Sequence, residues 1–400
     1  MTRLVFRGGK VFDGTGVDPA DADVAVEDGR IVAVGSGLDG AVAVDVAGRT
    51  VLPGLFDCHT HVCVSHVDLW KIAQRPFSYE FYEAQRNLAA TLRIGITTVR
   101  DAGGADLGIK EAVEDGLIPG PRLQISIIML TQTGGHGDNW YPSGAIVPFF
   151  ASHPGRPSGL VDGPDEVRRK VRELVRAGAD VIKVATSGGV LSPRDDPRHA
   201  HFRPAELEAL VEEATAAGIF VMAHAQGADG IKNAIRAGIR SIDHGIYLDE
   251  EAIELMKERG TWFVPTLVAP QGVIDAADAG VPLPPAVVDK ARRVVEIHRA
   301  AFRNAVEAGV AIAMGTDSGV TPHGRNLREL ALMVAGGMTP AAALEATTRS
   351  AARLLGVDDR LGTIEEGKIA DLVVVSGDPY AFDDLTDRID EVWKAGVRLV

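Results

Sequence analysis

Five residues that commonly bind or activate at metal centres stand where apolar runs of this chain give way to turns. His59 and His61 close the run Val51 to Phe56, in Asp57-Cys58-His59-Thr60-His61. Strand residues two apart share a face, so both imidazoles can reach one point. His224 ends Val221-Met222-Ala223, His244 follows Ile242-Asp243, and Asp317 follows Met314-Gly315-Thr316. A single His-x-His means little, and the set could be structural histidines with a capping aspartate. Five strand-end placements favour convergence on a metal, which requires the strands to close into a barrel. Asp317, His244 and His136 are the catalytic candidates.

Lys183 lies inside Asp180-Val181-Ile182-Lys183-Val184-Ala185-Thr186. A bare ammonium in such a run is costly to bury unless it loses its proton or finds a partner. It either pairs with a buried carboxylate such as Asp317 or, as a neutral amine, adds CO₂ to give a carbamate that bridges two cations. The residues alone leave these readings level. Two arginines, Arg194 and Arg325, stand in loops after strands, where a guanidinium could grip a substrate carboxylate or simply face water. Cys58 and Cys63 read as core residues.

The elements that must carry these groups follow a rhythm of apolar strand and amphipathic helix. Candidate strands are Val51 to Phe56, Thr97 to Arg100, Leu123 to Met129, Val181 to Ala185, Phe220 to Ala223, Ser241 to Asp243, Trp262 to Thr266 and Ala311 to Gly315. Helices are expected at Tyr79 to Arg93, Pro164 to Ala177, Pro204 to Ala217, Asp229 to Ala237, Glu250 to Arg259 and Pro285 to Ala308. Another runs from Thr339-Pro340 to Gly356. Eight such units predict an α/β fold, a (β/α)8 TIM barrel, ahead of an open doubly wound sheet. Both ends of the chain alternate in short strands too small to bury a face alone, so they are expected to form one β-sandwich. The expected divisions are 1–53, 54–361 and 362–400. The glycine- and proline-rich stretch from Thr131 to Pro164 follows a strand at its carboxyl end, which favours a functional loop.

Composition narrows the partners. With 46% hydrophobic and 24% charged residues the chain is globular, and its net charge of −14 argues against nucleic acid. Two nearby cysteines give no disulfide framework, and no apolar run suits a signal peptide or membrane span, which points to the cytoplasm. A small-molecule substrate is the expected partner. Barrels of this kind often form homo-oligomers, though no interface signal stands out.

In order and type, His59-x-His61, a strand lysine, two strand-end histidines and a final strand-end aspartate resemble the amidohydrolase superfamily over nearly the whole chain. Val51-Leu52-Pro53-Gly54-Leu55-Phe56-Asp57 and Gly362-Thr363-Ile364-Glu365-Glu366-Gly367-Lys368-Ile369-Ala370-Asp371-Leu372 look like its junctions between barrel and sandwich. Thr133-Gly134-Gly135-His136-Gly137-Asp138, Thr186-Ser187-Gly188-Gly189-Val190-Leu191-Ser192 and Gly315-Thr316-Asp317-Ser318-Gly319 look most like its prolidase and imidazolonepropionase-like branch. That branch includes binuclear metal dipeptidases and carboxypeptidases acting on dipeptides or N-acyl amino acids.

The resemblance implies His59, His61 and Asp317 on one metal, His224 and His244 on a second, and carboxylated Lys183 with a hydroxide between them. Zinc suits such ligands best. Asp317 would carry a proton from the attacking hydroxide to the leaving amine, and His136 would contact substrate. Gln226 stands where some dipeptidases of the branch have a tyrosine, which makes it a candidate substrate contact. The expected reaction is cleavage of a C–N bond in a small carboxylate-bearing amide. The alternatives are a hydrolase of cyclic amides or lactones and a non-catalytic metal-binding barrel. Mononuclear deaminases and imidazolonepropionases normally lack the strand lysine.

Overall fold

Strands of a closed barrel lie between the outer helices and the packed barrel interior and are shielded from water on both faces; Leu55–Thr60, Ile96–Asp101 and Val181–Ala185 are accordingly buried at every position. The computed structural model describes residues 3–192 and 194–400. In it these segments form the wall of a parallel barrel. One arc pairs Arg122–Ile125, Ile96–Asp101 and Leu55–Thr60, and the other runs Met129–Leu130, Val181–Ala185, Phe220–Ala225, Ser241–His244 and Trp262–Val264.

Two expected strands differ from simple ladders. The run Leu123 to Met129 is broken because Ile127 turns into the left-handed region, φ 68°, and its carbonyl accepts the Gly104 amide. Ala311 to Gly315 closes the barrel through isolated contacts instead of a ladder. Ile312 bridges Phe263, the Cys58 amide donates to the Met314 carbonyl, and Ser318 bridges Thr60.

Helices Tyr79–Arg93 and Glu250–Arg259 fall where expected, and Pro164–Arg176, Pro204–Ala216 and Pro285–Glu307 begin at their prolines. The stretch expected as one helix to Gly356 is two, Pro340–Ala346 and Arg349–Leu355. Thr347 separates them by pairing with the first barrel strand: its hydroxyl donates to the Phe56 carbonyl at 2.6 Å, and its carbonyl accepts the Phe56 amide. Leu107–Glu114, Val268–Asp278 and Arg328–Ala335 are further helices.

The two chain ends do meet. Leu372–Ser376 lies antiparallel between Arg49–Pro53 and Ile389–Lys394 in a six-stranded sheet, faced by a four-stranded sheet from residues 4–45. Phe6 and Trp393 pack edge to face across their shared core. The fold is a TIM barrel with a sheet domain. Cys58 and Cys63 are free and buried in apolar clusters. Among the described residues no helix is long and apolar enough to cross a membrane.

Candidate active site

Each of the four strand-end histidines has one ring nitrogen hydrogen-bonded to the surrounding protein. His59 Nδ1 donates to Asp243 at 2.7 Å, and His61 Nδ1 to the Gly103 carbonyl at 2.8 Å. His224 Nε2 donates to the Gly188 carbonyl, and His244 Nδ1 meets the Thr266 hydroxyl. Such outer hydrogen bonds fix tautomer and ring direction in metal-binding histidines. Burial, with the charge of neighbouring cationic groups, holds His59, His224 and His244 well below the ordinary imidazole range, with His244 near 3, so their free lone pairs are available. His61 moves the other way: burial opposes its proton, but the Asp317 carboxylate outweighs burial. His244, Thr266 and Asp317 all adopt positive φ, the kind of backbone strain that collects at functional sites.

Asp317 reaches both histidines of the first strand, 3.5 Å from His59 Nε2 and 3.3 Å from His61 Nε2. One ligand atom from each of His59, His244 and Asp317 falls within 4.8 Å of the others. The His59, His244 and His224 rings follow one another at 4.8 and 4.6 Å. Lys183 is 1% exposed and its Nζ has no hydrogen-bond partner. Its nearest carboxylate is Asp243, at 3.5 Å, where the sequence reading named Asp317. Burial brings its pKa down to about 8. The convergent imidazoles and the Asp317 carboxylate suit a divalent cation, with the Lys183 amine buried beside them.

His136 is placed by two loops. Its ring stacks on His224 at 4.1 Å, and its Nδ1 lies 2.8 Å from Ser192 Oγ and 3.4 Å from Asp195. Gly189 lies flat against the ring; a Cβ there would fall 2.1 Å from it. Lys290 holds this loop by donating to the carbonyls of Gly189, Ser192 and Asp195. Burial works to raise the Asp195 pKa, but hydrogen bonds from His136 and Ser192 and the Lys290 charge bring it to about 2.

These groups open into a cavity of about 860 Å³, within the range of small-molecule sites. Gln226 lines it, 6% exposed, with its Oε1 unpartnered. Arg194 lines it too, its guanidinium over the Trp140 ring. Arg325 does not: it is exposed on the loop before Arg328–Ala335 and absent from the cavity wall. The long loop supplies one wall, including Trp140, Phe149 and Phe150, and Phe150 packs against His61.

The residues that support these groups lie outside the strand-end pattern. Asp243, next to His244, is held by Arg100, 3% exposed, which pairs with it at 3.2 Å and also donates to the Cys58 carbonyl. Two opposite charges within strands were the available signal. Asp57 accepts from Thr316 and Asn326, tying the first strand to the segment that carries Asp317. Arg156, buried in the long loop, pairs with Glu80 and donates to the carbonyls of Gly104 and Ala151. Arg156→Met should cost about 3 kcal/mol and open residues 131–164 to limited proteolysis; unchanged melting and cleavage would refute this anchoring role.

Glu329 accepts the Leu267 and Val268 amides at 2.7 and 2.8 Å, and burial raises its pKa to about 8. Between its unfolded value near 4.5 and 8 the folded state binds the extra proton. Its contribution therefore falls as pH rises, by about 1.4 kcal/mol per unit. Denaturant unfolding of wild type minus Glu329→Gln should show that negative slope from pH 5 to 8; a flat difference contradicts it.

A closed parallel barrel with imidazoles and a carboxylate gathered at its strand ends, joined to a sheet domain from both chain ends, defines an α/β-barrel hydrolase with a site suited to metal. Residues 50–399 match the amidohydrolase family model. The chain is 37% identical to ochratoxinase of Aspergillus niger over 368 residues, 86% of this chain and 75% of that one. A Xaa-Pro dipeptidase with bound methionine superposes with a TM-score of 0.90 at 34% identity, covering 99% of both chains. A prolidase complexed with N-methylphosphonate-L-proline gives 0.90 at 36%, covering 100% of this chain and 99% of that one. The chain belongs to the amidohydrolase family, in its prolidase-like branch, and is a hydrolase acting on carbon–nitrogen bonds.

Proposed function

We propose that this protein is a binuclear metal-dependent amidohydrolase that cleaves the amide or peptide bond of a small carboxylate-bearing substrate, a dipeptide or N-acyl amino acid. The observation that carries the reading is the buried Lys183 amine, held only at 3.5 Å from Asp243, among four hydrogen-bonded histidines and Asp317 on the wall of a large cavity. His59, His61 and Asp317 would hold one divalent ion and His224 and His244 another, with carboxylated Lys183 between. Zinc fits this donor set best. Such ions supply Lewis-acid activation of water and of the scissile carbonyl.

The chain's own residues do the rest. Asp317, held well below the carboxylate range by the His61 hydrogen bond and nearby imidazoles against the pull of burial, is ionised and able to take a proton. It delivers that proton to the leaving nitrogen. His136 faces the scissile carbonyl with its ring direction set by Ser192 and Asp195. Arg194 receives the substrate carboxylate, and Gln226 offers a hydrogen bond beside His224.

The test is amine release from dipeptides, N-acyl amino acids, hydantoins and lactones by protein expressed with zinc or manganese and bicarbonate. Turnover of linear compounds with a free carboxylate is expected. Turnover confined to cyclic compounds overturns the substrate class, and no turnover by metal-loaded protein counts against catalysis here.

A further inference from the structure

The long helix Pro285–Glu307 turns one buried face toward the site. Most of that face is apolar, with Val287, Ala291 and Val294 packed against Ile246 and Val273. His298, one turn beyond Val294, lines the same cavity and is 1% exposed. Nothing in the function proposed above uses it.

Its chemistry is fixed by what it touches. The ring is hydrogen-bonded to the backbone of His244 and Pro265. Proline has no N–H, so Pro265 offers only a carbonyl, and the facing ring nitrogen must carry the proton. Nε2 is buried with no partner. In a neutral ring it is then a buried acceptor without a partner, on a residue that lines the cavity. Leaving a buried acceptor unpaired is costly, so a group bound there gains by donating to it.

We propose that His298 is a specificity-determining residue whose Nε2 accepts a hydrogen bond from an N–H or O–H on the otherwise apolar substrate group seated against the Pro285–Glu307 helix. This rests on the amidohydrolase reading above and narrows its substrates to amides carrying a donor at that position. A substrate bare of such a donor leaves the acceptor unsatisfied and is discriminated against.

Two matched pairs test it: N-benzoyl-L-tyrosine against N-benzoyl-O-methyl-L-tyrosine, and N-benzoyl-L-tryptophan against N-benzoyl-1-methyl-L-tryptophan. Wild type should favour the donor-bearing member of at least one pair by about 10- to 100-fold in kcat/KM. His298→Phe should erase that preference while still hydrolysing the donor-free member and keeping its metal content. His298→Gln, which retains an acceptor, should keep part of the preference and decides the matter if the phenylalanine variant does not fold. Absence of preference in both pairs, or a preference that survives in His298→Phe, overturns the proposal while hydrolysis itself leaves the amidohydrolase reading standing. If no compound is hydrolysed, calorimetric binding of the same four compounds decides: donor-dependent affinity lost in His298→Phe supports the role, and equal affinity within each pair ends it.

Discussion

Lys183→Ala is expected to lower kcat/KM on the order of a thousandfold or more and to remove most divalent metal from the purified protein. The side chain is buried, its Nζ has no hydrogen-bond partner, and the nearest carboxylate, Asp243, is already engaged by His59 and Arg100. If Lys183 served only as a partner for Asp243, its loss would lower stability and leave metal in place. A carbamate instead places an anion between the two ligand groups, and removing it weakens both. Short carboxylic acids such as acetate should then restore part of the rate and metal content, because a free carboxylate can occupy the vacated space. Metal analysis by atomic emission and activity titrated with acetate check this. Full activity in the alanine variant sinks the carbamate.

Asp317→Asn should cut kcat by about 10²- to 10⁴-fold, the range for a positioned acid–base group, with a smaller change in KM. The amide keeps the shape that bridges His59 and His61 but cannot take a proton. Because the wild-type carboxylate is ionised far below neutral pH, loss of its base role should be felt across the whole working range. A parallel loss at every pH from 5 to 9 is therefore the expected profile. A rate within a few-fold of wild type would leave Asp317 as a ligand and remove it as proton carrier.

Much of this arrangement was legible from residue types and spacing because apolar runs ending in His or Asp leave few alternatives. His59 and His61 share a face for the reason any i, i+2 pair does, and the barrel then brings His224, His244 and Asp317 to them. Less visible were features set by long-range contacts. The break at Ile127 depends on the Gly104 amide, and the split at Thr347 depends on Phe56, more than two hundred residues away. Arg194 and Arg325 looked equivalent as loop cations, and only the fold separates them: one stands over Trp140 at the cavity, the other faces outward. His298 was invisible as a site residue because helical periodicity marks it simply as part of a buried face. The Asp243–Arg100 pair shows the opposite case, two charges in apolar strands whose burial was readable but whose mutual partnership was not.

The pairing of Leu372–Ser376 with Arg49–Pro53 also sets an order of events during synthesis. Until residue 372 has left the ribosome, the sheet beside residues 49–53 lacks its neighbour, and at about 5 to 20 residues per second that interval lasts roughly a quarter of a minute to a minute. The first barrel strand begins only two residues after that waiting edge. A nascent chain therefore carries an open template for intermolecular pairing through most of its translation. Chaperone demand should consequently peak late, just before the final strands emerge.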